Sequence, residues 1–199
     1  MEGRSHLLIG LVAGVVFDSV THISGNALTA GTSVTLPLLV SKAVYYGAVG
    51  FGALLPDIDN ARSTLGHRFG IISKTIQGIA GHRTVFHSLL GLAVGSLLAI
   101  GLERVVIYLL GLRGYSAPAH VVGISHVVFF GVLFGCVMHL LCDSLTYGGI
   151  PLFWPMHKRF GIPMDNKFRF RTGTWPEFLI VWGFMFVVAV CIWQGYVIL

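Results

Sequence analysis

Five long apolar stretches, separated by polar loops, constrain the fold of this chain more than any other feature. They cover residues 7 to about 22, 34–55, 85–112, 121 to about 145, and 178–199. A helix needs about 20 apolar residues to cross a bilayer, so each stretch is a candidate span. Hydrophobic residues form 55% of the 199 residues and charged residues only 11%, which excludes an ordinary soluble domain and a disordered chain. We therefore expect an all-α membrane protein with about five transmembrane helices, forming a single multi-span domain over residues 1–199.

The first apolar stretch has a competing interpretation as a secretory signal peptide. Arg4 precedes an 11-residue apolar core, and residues 25–27 offer a small-residue cleavage site. However, Asp18 directly follows the apolar core, which is unusual for a signal peptide. We expect a membrane span here, which keeps His6 in the folded protein.

Lysines and arginines are distributed unevenly among the loops. Ten of the 13 precede span one or lie in the loops that follow spans two and four: Arg4, Arg62, Arg68, Lys74, Arg83, Lys158, Arg159, Lys167, Arg169 and Arg171. Lys42 and Arg104 lie within spans, so the opposite side keeps only Arg113. The positive-inside rule then predicts a cytoplasmic N-terminus and an external C-terminus. The net charge of +5 is spread over loops, which favours contact with anionic lipid over nucleic-acid binding.

Two loops have a periodicity of their own. Between spans two and three, apolar residues recur at spacings of three and four: Leu65, Phe69, Ile72, Ile76 and Ile79. This spacing predicts an interfacial amphipathic helix. Residues 168–171 read Phe-Arg-Phe-Arg, which alternates with a period of two. Together with the neighbouring prolines, glycines and tryptophans, it predicts a short β-hairpin or an irregular cytoplasmic lid.

Ionisable side chains within or beside the apolar stretches are the second unusual feature. Near the bilayer interior each costs about 2.5–3.5 kcal/mol, so each requires a partner or a function. Seven of them lie at the predicted cytoplasmic ends of four spans: His6, Asp57, Asp59, His82, His87, His139 and Asp143. His139 and Asp143 are four residues apart and share one helix face. Asp57 and Asp59 are two residues apart after Pro56 and point the same way in an extended turn. Both pairs are suited to chelate a metal ion.

The ligand types indicate which metal is expected. Imidazole and carboxylate together are typical of zinc, with manganese or iron as alternatives. Three aspartates and one bridging hydroxide carry four negative charges, which balance two divalent cations. Seven side chains also exceed the four that one tetrahedral ion uses. The alternative is that each histidine only packs between helices and that Asp59 caps the interfacial helix. That alternative explains single residues but not seven at one depth, so we predict a divalent-metal site, with two zinc ions.

A second polar group lies toward the opposite ends of the spans, and we interpret it as structural. Its members are Asp18, His22, Glu103, Arg104, His120 and His126. Glu103 and Arg104 bring opposite charges together, and the histidines lie where water is available. The three cysteines lack paired metal spacing and are interpreted as packing residues.

Three blocks of sequence resemble a known family. Residues 54–60 read LLPDIDN, residues 81–88 read GHRTVFHS, and residues 139–155 begin HLLCDSLT and end LFWP. In this order they resemble the YdjM-like family of LexA-binding, inner-membrane-associated proteins, described as metal-dependent hydrolases. The resemblance runs from residue 4 to about residue 163 and implies a multi-span membrane protein with that activity.

The chain departs from residues common in the family at four positions: Asn60, Thr84, Phe86 and Tyr147. These departures leave all seven predicted ligands intact. LexA binding is not carried over, because no feature of the sequence accounts for it. The sequence identifies no other protein partner.

A metal site beside a basic loop predicts hydrolysis of an anionic, phosphate-bearing lipid. Bound metal lowers the pKa of water toward 7 and clamps a substrate oxygen, while arginine pairs with phosphate bidentately. Arg83 and Asp59 are therefore the candidate catalytic residues. Three hydroxyls near the ligands are predicted to bind substrate or to orient ligands: Ser63, Ser88 and Thr146.

Two other functions fit the same residues. One is a non-catalytic membrane protein in which a closed, structural metal site holds four helices together. The other is a metal or proton transporter, which requires polar residues through the full membrane depth. The glycine-rich middle of spans three and four favours close helix packing over a pore.

Overall fold

The structure is a computed structural model; the part of the chain that it describes is all-helical and contains five helices long and apolar enough to span a membrane. It describes residues 1–25, 36–80, 84–114, 119–156 and 158–194. Within these ranges the helices are α1 (Gly3–Thr21), α2 (Leu36–Leu54), α3 (Thr64–Arg68), α4 (Gly70–Ala80), α5 (Leu89–Leu112), α6 (Ala119–Ser144) and α7 (Trp175–Trp193). The predicted fold class is confirmed. The spanning helices are α1, α2, α5, α6 and α7.

Short 3₁₀ turns shift the ends of two predicted spans. The second span continues from α2 into the 3₁₀ turn Leu55–Asp59, which has a proline in its first positions. The third apolar stretch opens with the 3₁₀ turn Val85–His87, and the regular helix α5 starts only after Ser88. Ser88 is the N-cap, since its Oγ accepts a hydrogen bond from the Gly91 amide at 3.0 Å. Both turns carry predicted metal ligands at the ends of spans.

The core is a three-helix unit in which α2 packs most extensively against α6 and also against α1. Glycines permit the close approach of α2 and α6. A Cβ atom on Gly52 would lie 2.2 Å from the Val132 carbonyl oxygen, and one on Gly135 would lie 2.2 Å from the Val49 carbonyl oxygen. Backbone contact at these positions therefore requires glycine, as is common where membrane helices pack.

Two glycines in the middle of α5, Gly95 and Gly101, have more open surroundings than Gly135 of α6. A Cβ atom on Gly95 or Gly101 would meet nothing within 4 Å. No residue of α5 is buried, and the helix contacts α6 only sparsely. The expectation of close packing in the middle of spans three and four therefore holds for α6 and is wrong for α5.

The two patterned loops fold as follows. The region predicted as one amphipathic helix contains two helices, α3 and α4, which are separated at Phe69. The loop before α7 is irregular, with two isolated bridges and no strand among its described residues. Arg169 holds this loop together, since its Nε donates to the Pro163 carbonyl at 2.7 Å and its Nη2 to the Met164 carbonyl at 2.5 Å. Of the two predicted forms of this loop, a short β-hairpin or an irregular loop, the structure has the irregular one.

Candidate metal centre

Six of the seven predicted ligands meet at one end of the helical bundle. They come from four different elements: His6 in the first turns of α1, Asp57 and Asp59 in the 3₁₀ turn after α2, His87 in the 3₁₀ turn before α5, and His139 and Asp143 near the end of α6. His82, together with the candidate catalytic residue Arg83, lies outside the described residues. Residues far apart in the chain thus form one cluster, which we call the His/Asp cluster.

The distances in the cluster suit a shared cation. The Nε2 atom of His87 lies 3.7 Å from an oxygen of Asp57 and 3.7 Å from an oxygen of Asp143. The Nε2 atom of His139 lies 3.8 Å from Asp57 and 4.0 Å from Asp143. Ligands at about 2.0–2.2 Å from a tetrahedral zinc ion are separated by roughly 3.3–3.6 Å. Only a small inward movement would bring these four side chains into a coordination sphere.

Three overlapping groups of side chains place their ligand atoms within 4.8 Å of one another. The groups are His6 with Asp57 and His139; His87 with His139 and Asp143; and Asp57 with Asp59 and His87. Asp57, His87 and His139 each belong to two groups. The cluster therefore has enough ligand atoms for more than one ion.

The orientation of His139 is fixed by the backbone of α2. Its Nδ1 atom lies 2.7 Å from the Ala53 carbonyl oxygen. A carbonyl can only accept a hydrogen bond, so Nδ1 carries the proton. The Nε2 atom is left to face the cluster, 3.3 Å from Nε2 of His87. A ring nitrogen that donates to a carbonyl while the other faces inward is the usual arrangement of a metal-binding histidine.

His6 is held against His139 by ring stacking. The two ring centroids are 3.8 Å apart and the planes are inclined by 13°. The Nε2 atom of His6 lies 3.2 Å from Asp143, and its buried Nδ1 atom has no hydrogen-bond partner among the described residues. A buried, unpartnered imidazole nitrogen is costly unless a metal or proton donor satisfies it. His6 therefore adds to the chemical case for a metal.

Burial and charge also distinguish the cluster. His6, Asp59, His87, His139 and Asp143 are almost completely buried, while the side chain of Asp57 keeps 13% of its surface exposed. The Met1 ammonium group forms an ion pair with Asp143. Burial opposes protonation of His87, but hydrogen bonds to Asp57 and Asp59 outweigh it and raise the pKa of His87 to about 9. The cluster thus attracts positive charge.

The three hydroxyls near the ligands bond to the backbone of the ligand-bearing turns. Ser63 Oγ donates to the Asp57 carbonyl at 2.7 Å, Ser88 Oγ to the Val85 carbonyl at 2.6 Å, and Thr146 Oγ1 to the Asp143 carbonyl at 2.8 Å. Each bond fixes the local path of the chain at a ligand. The predicted roles of these hydroxyls, in binding substrate or orienting ligands, stay predictions.

Glu177, in the first turn of α7, is a positioning residue that the sequence reasoning missed. It is fully buried, and its two carboxylate oxygens accept hydrogen bonds from the Glu2 amide at 2.7 Å and the Gly173 amide at 2.9 Å. These bonds attach the start of α1, and with it His6, to the start of α7. The pattern Thr174-Trp-Pro-Glu177 is a capping-box signal that could have drawn attention to it.

The second polar group is distributed differently. Asp18 is buried and accepts hydrogen bonds from Ser24, Lys42 and Tyr46. Glu103 accepts a hydrogen bond from Ser125 on α6. His22, Arg104 and His126 are exposed, and the side chain of His120 lies outside the described residues. These residues do not form a second cluster with ligand-like geometry among the described residues.

Comparison with known proteins supports the membrane assignment. The sequence profile described as "YdjM inner membrane protein" matches residues 1–198. The chain is 41% identical over 111 residues to Inner membrane protein YdjM of Escherichia coli (strain K12), a match covering 56% of this chain and 49% of that protein. The protein of the same name from Shigella flexneri gives the same values. The chain thus spans about half the length of these curated relatives.

A third relative matches over more of its length. The chain is 29% identical over 167 residues to Uncharacterized protein YvsG of Bacillus subtilis (strain 168), covering 82% of this chain and 86% of that protein. No solved structure matches the chain.

Proposed function

The chain belongs to the YdjM family of inner membrane proteins, and from this premise we propose that it is a metal-dependent hydrolase acting on an anionic, phosphate-bearing lipid at the cytoplasmic surface. It is a multi-pass protein of the inner membrane. The observation that carries the proposal is the His/Asp cluster, in which the Ala53 carbonyl directs Nε2 of His139 toward His87 and two aspartates.

The proposed orientation places this cluster at the cytoplasmic side. Its support is the asymmetry of charge, because ten of the 13 lysines and arginines lie on the side of the cluster. Reporter fusions test it. A fusion after Asn166 should report the cytoplasm and one after residue 194 the external side. The opposite result would place the cluster on the external surface and overturn the proposed location.

We assign the cluster two divalent ions, most simply zinc. Asp57, His87 and His139 are each shared by two of the three ligand groups, and of these three only Asp57 has two carboxylate oxygens with which to serve both ions. It is also the ligand with the greatest exposure among the six, so substrate would reach the ions from its side. His6, His87, His139 and Asp143 complete the set of buried donors.

Asp59 is assigned a positioning role toward His87. One of its oxygens lies 3.4 Å from Nδ1 of His87, whose Nε2 faces Asp57 and Asp143. A carboxylate behind a ligating histidine fixes the ring and raises its basicity. Arg83 remains the proposed partner of the substrate phosphate, since it follows His82 directly and cannot itself ligate a metal.

A bound ion would supply a water of lowered pKa and would polarise a phosphoryl oxygen. The residues of the chain exclude water from the ions and attract the anionic headgroup. Burial of five of the six side chains excludes bulk water from behind the ions, and the exposed loop lysines Lys158 and Lys167 supply counter-charge for an anionic headgroup.

The test combines elemental analysis with an activity assay on the whole protein in detergent. Purified protein should bind about two zinc equivalents, and a panel of phosphate-bearing lipids should reveal a substrate whose cleavage chelator abolishes. Asp57→Ala should lose metal and cleavage together, whereas Asp165→Ala, in an exposed loop, should behave like wild type. If reconstituted protein binds no metal, or if cleavage is indifferent to chelator, the proposal is wrong.

A structural metal site is the second candidate, favoured by the near-complete burial of the cluster. Such a site joins α1, α2 and α6 to the turn before α5. It predicts one tightly held ion, a large loss of thermal stability on chelation, and no lipid cleavage by the loaded protein. The same two measurements therefore separate the candidates.

A further inference from the structure

An apolar groove runs between α5 and α6, outside the His/Asp cluster. Its volume is about 730 Å³, within the range of roughly 300–1,000 Å³ typical of ligand sites. On α5 it is lined by residues between Gly91 and Leu110, and on α6 by residues between Val122 and Cys136. The lining is mostly apolar but includes Glu103, whose carboxylate accepts a hydrogen bond from Ser125 across the groove. Gly95 contributes to the opening because a side chain there would meet nothing within 4 Å. We call this space the α5–α6 groove.

The length and the lining of the groove suit a hydrocarbon chain. Gly91 and Leu110 are 19 residues apart, which is about 28 Å along a helix and close to the hydrocarbon thickness of a bilayer. Most of the side chains that line it are apolar. An extended methylene chain can therefore lie along the groove and contact apolar carbon atoms over its length.

One end of the groove lies beside the His/Asp cluster. Pro56, Ile58 and Phe86 line it, and they are the immediate sequence neighbours of Asp57, Asp59 and His87. The two 3₁₀ turns therefore contribute apolar residues to the groove and polar residues to the cluster. Ile76 of α4 lines the groove as well, while Lys74 of the same helix is exposed. The groove thus borders the His/Asp cluster and a helix that carries an exposed lysine.

We propose that the α5–α6 groove binds a hydrocarbon chain of the lipid substrate and thereby places the headgroup at the His/Asp cluster. This inference rests on the proposed function, and it names the substrate class more closely as a long-chain lipid, held by its chain as well as by its phosphate. Apolar lining at the lipid-facing edge of the bundle stabilises such a chain, and the cluster supplies the anionic end with its counter-ions. The chain would be long, because the groove extends well beyond half of the membrane thickness.

The test uses photo-crosslinking, which does not depend on turnover. The probe is phosphatidic acid with a diazirine at the end of one acyl chain, added to the full chain in phosphatidylcholine nanodiscs. Gly95→Phe fills the groove, and Ala93→Phe, at an exposed position outside the lining, is its matched control. We expect labelling of the peptides that cover residues 92–110 and 122–136 to fall about tenfold in Gly95→Phe and to stay at the wild-type level in Ala93→Phe.

Metal content and hydrolysis are measured on the same three proteins. Equal labelling of wild type and both variants overturns the groove inference, whatever the enzyme does. Absence of metal or of chelator-sensitive cleavage overturns the proposed function even if Gly95→Phe blocks labelling. Loss of labelling with unchanged metal content in Gly95→Phe supports the groove and excludes unfolding as its cause.

Discussion

Two buried aspartates at opposite ends of the bundle, Asp18 and Asp143, have opposite kinds of surroundings. Asp18, near the end of α1, is balanced by the Lys42 ammonium at 3.1 Å and by hydroxyls of Ser24 and Tyr46. Asp143, near the end of α6, is paired with the Met1 ammonium group, but it also shares its space with two more aspartates and three histidines, so one ammonium group is present for three carboxylates. Asp18 needs no bound cation, because the Lys42 ammonium already balances its charge. A cluster of carboxylates with imidazoles carries negative charge and nitrogen donors that only protons or cations satisfy.

The buried face of α1 between these two aspartate sites is apolar. His6 and Asp18 are 12 residues apart on α1, about 18 Å along the helix axis. The buried residues of α1 between them are Ile9, Gly10, Ala13 and Gly14, none of which has a polar side chain. The buried side chains of α1 therefore do not form a polar path between the two sites.

The largest expected effect is a loss of stability at the Asp18–Lys42 pair. Lys42→Met keeps the apolar stem but leaves Asp18 buried without a counter-charge, so stability should fall by about 3–5 kcal/mol. Thermal unfolding in detergent measures the change. The double variant Asp18→Asn/Lys42→Met should recover most of the loss, and metal content should stay at the wild-type level throughout. A stable single variant would show that Asp18 is not balanced by Lys42.

His139→Ala should weaken metal binding at the His/Asp cluster, the second site of the comparison. It removes a buried donor that belongs to two of the three ligand groups, so metal affinity should drop by about 100-fold, equivalent to roughly 2.7 kcal/mol. Metal titration followed by elemental analysis gives the value. His126→Ala is the matched control, since His126 is an exposed histidine on the same helix. Equal affinity in both variants would contradict the metal assignment.

Asp59→Asn sharpens the assignment within the cluster. It keeps the size of the side chain but removes the charge behind Nδ1 of His87, so metal affinity should fall by about 10–100-fold. Asn60→Ala, at the next position, should leave affinity unchanged because the Asn60 side chain accepts a hydrogen bond from the Arg62 amide and belongs to none of the ligand groups among the described residues. A complete loss of one ion in Asp59→Asn would make Asp59 a direct ligand instead.

The smallest effect is expected at Glu177. Glu177→Gln loses the charge and one of two acceptors that hold the Glu2 and Gly173 amides, so stability should decrease by about 1–2 kcal/mol. Glu2→Gln, at an exposed side chain, serves as the control. Thermal unfolding measures both. If Glu177→Gln matches Glu2→Gln, Glu177 does not attach α1 to α7.

Much of this arrangement could be predicted from the sequence because the membrane penalises polar residues. Apolar length identified the spans, and the ionisable residues at one depth identified the members of the cluster. The 3₁₀ turns could not be placed, since Val85 is as apolar as the helix that follows. The pairing of Asp18 with Lys42 depends on how α1 and α2 rotate relative to each other, which spacing alone does not determine.

The sequence also did not indicate that α5 packs only sparsely against the bundle. In a membrane, lipid and neighbouring helices are equally apolar, so a lipid-facing helix and a buried one have the same composition. The glycines of α5 therefore resembled packing glycines until their surroundings were known.

The acceptor that orients His139 is a main-chain atom, the Ala53 carbonyl in the last turn of α2. Carbonyls in the last turn of a helix lack an intrahelical donor, so this one is available wherever the helix ends at that point. No exchange of the side chain at position 53 can delete it. The orientation of the His139 ring is consequently determined by where α2 ends, just before Pro56, and by the main chain at position 53.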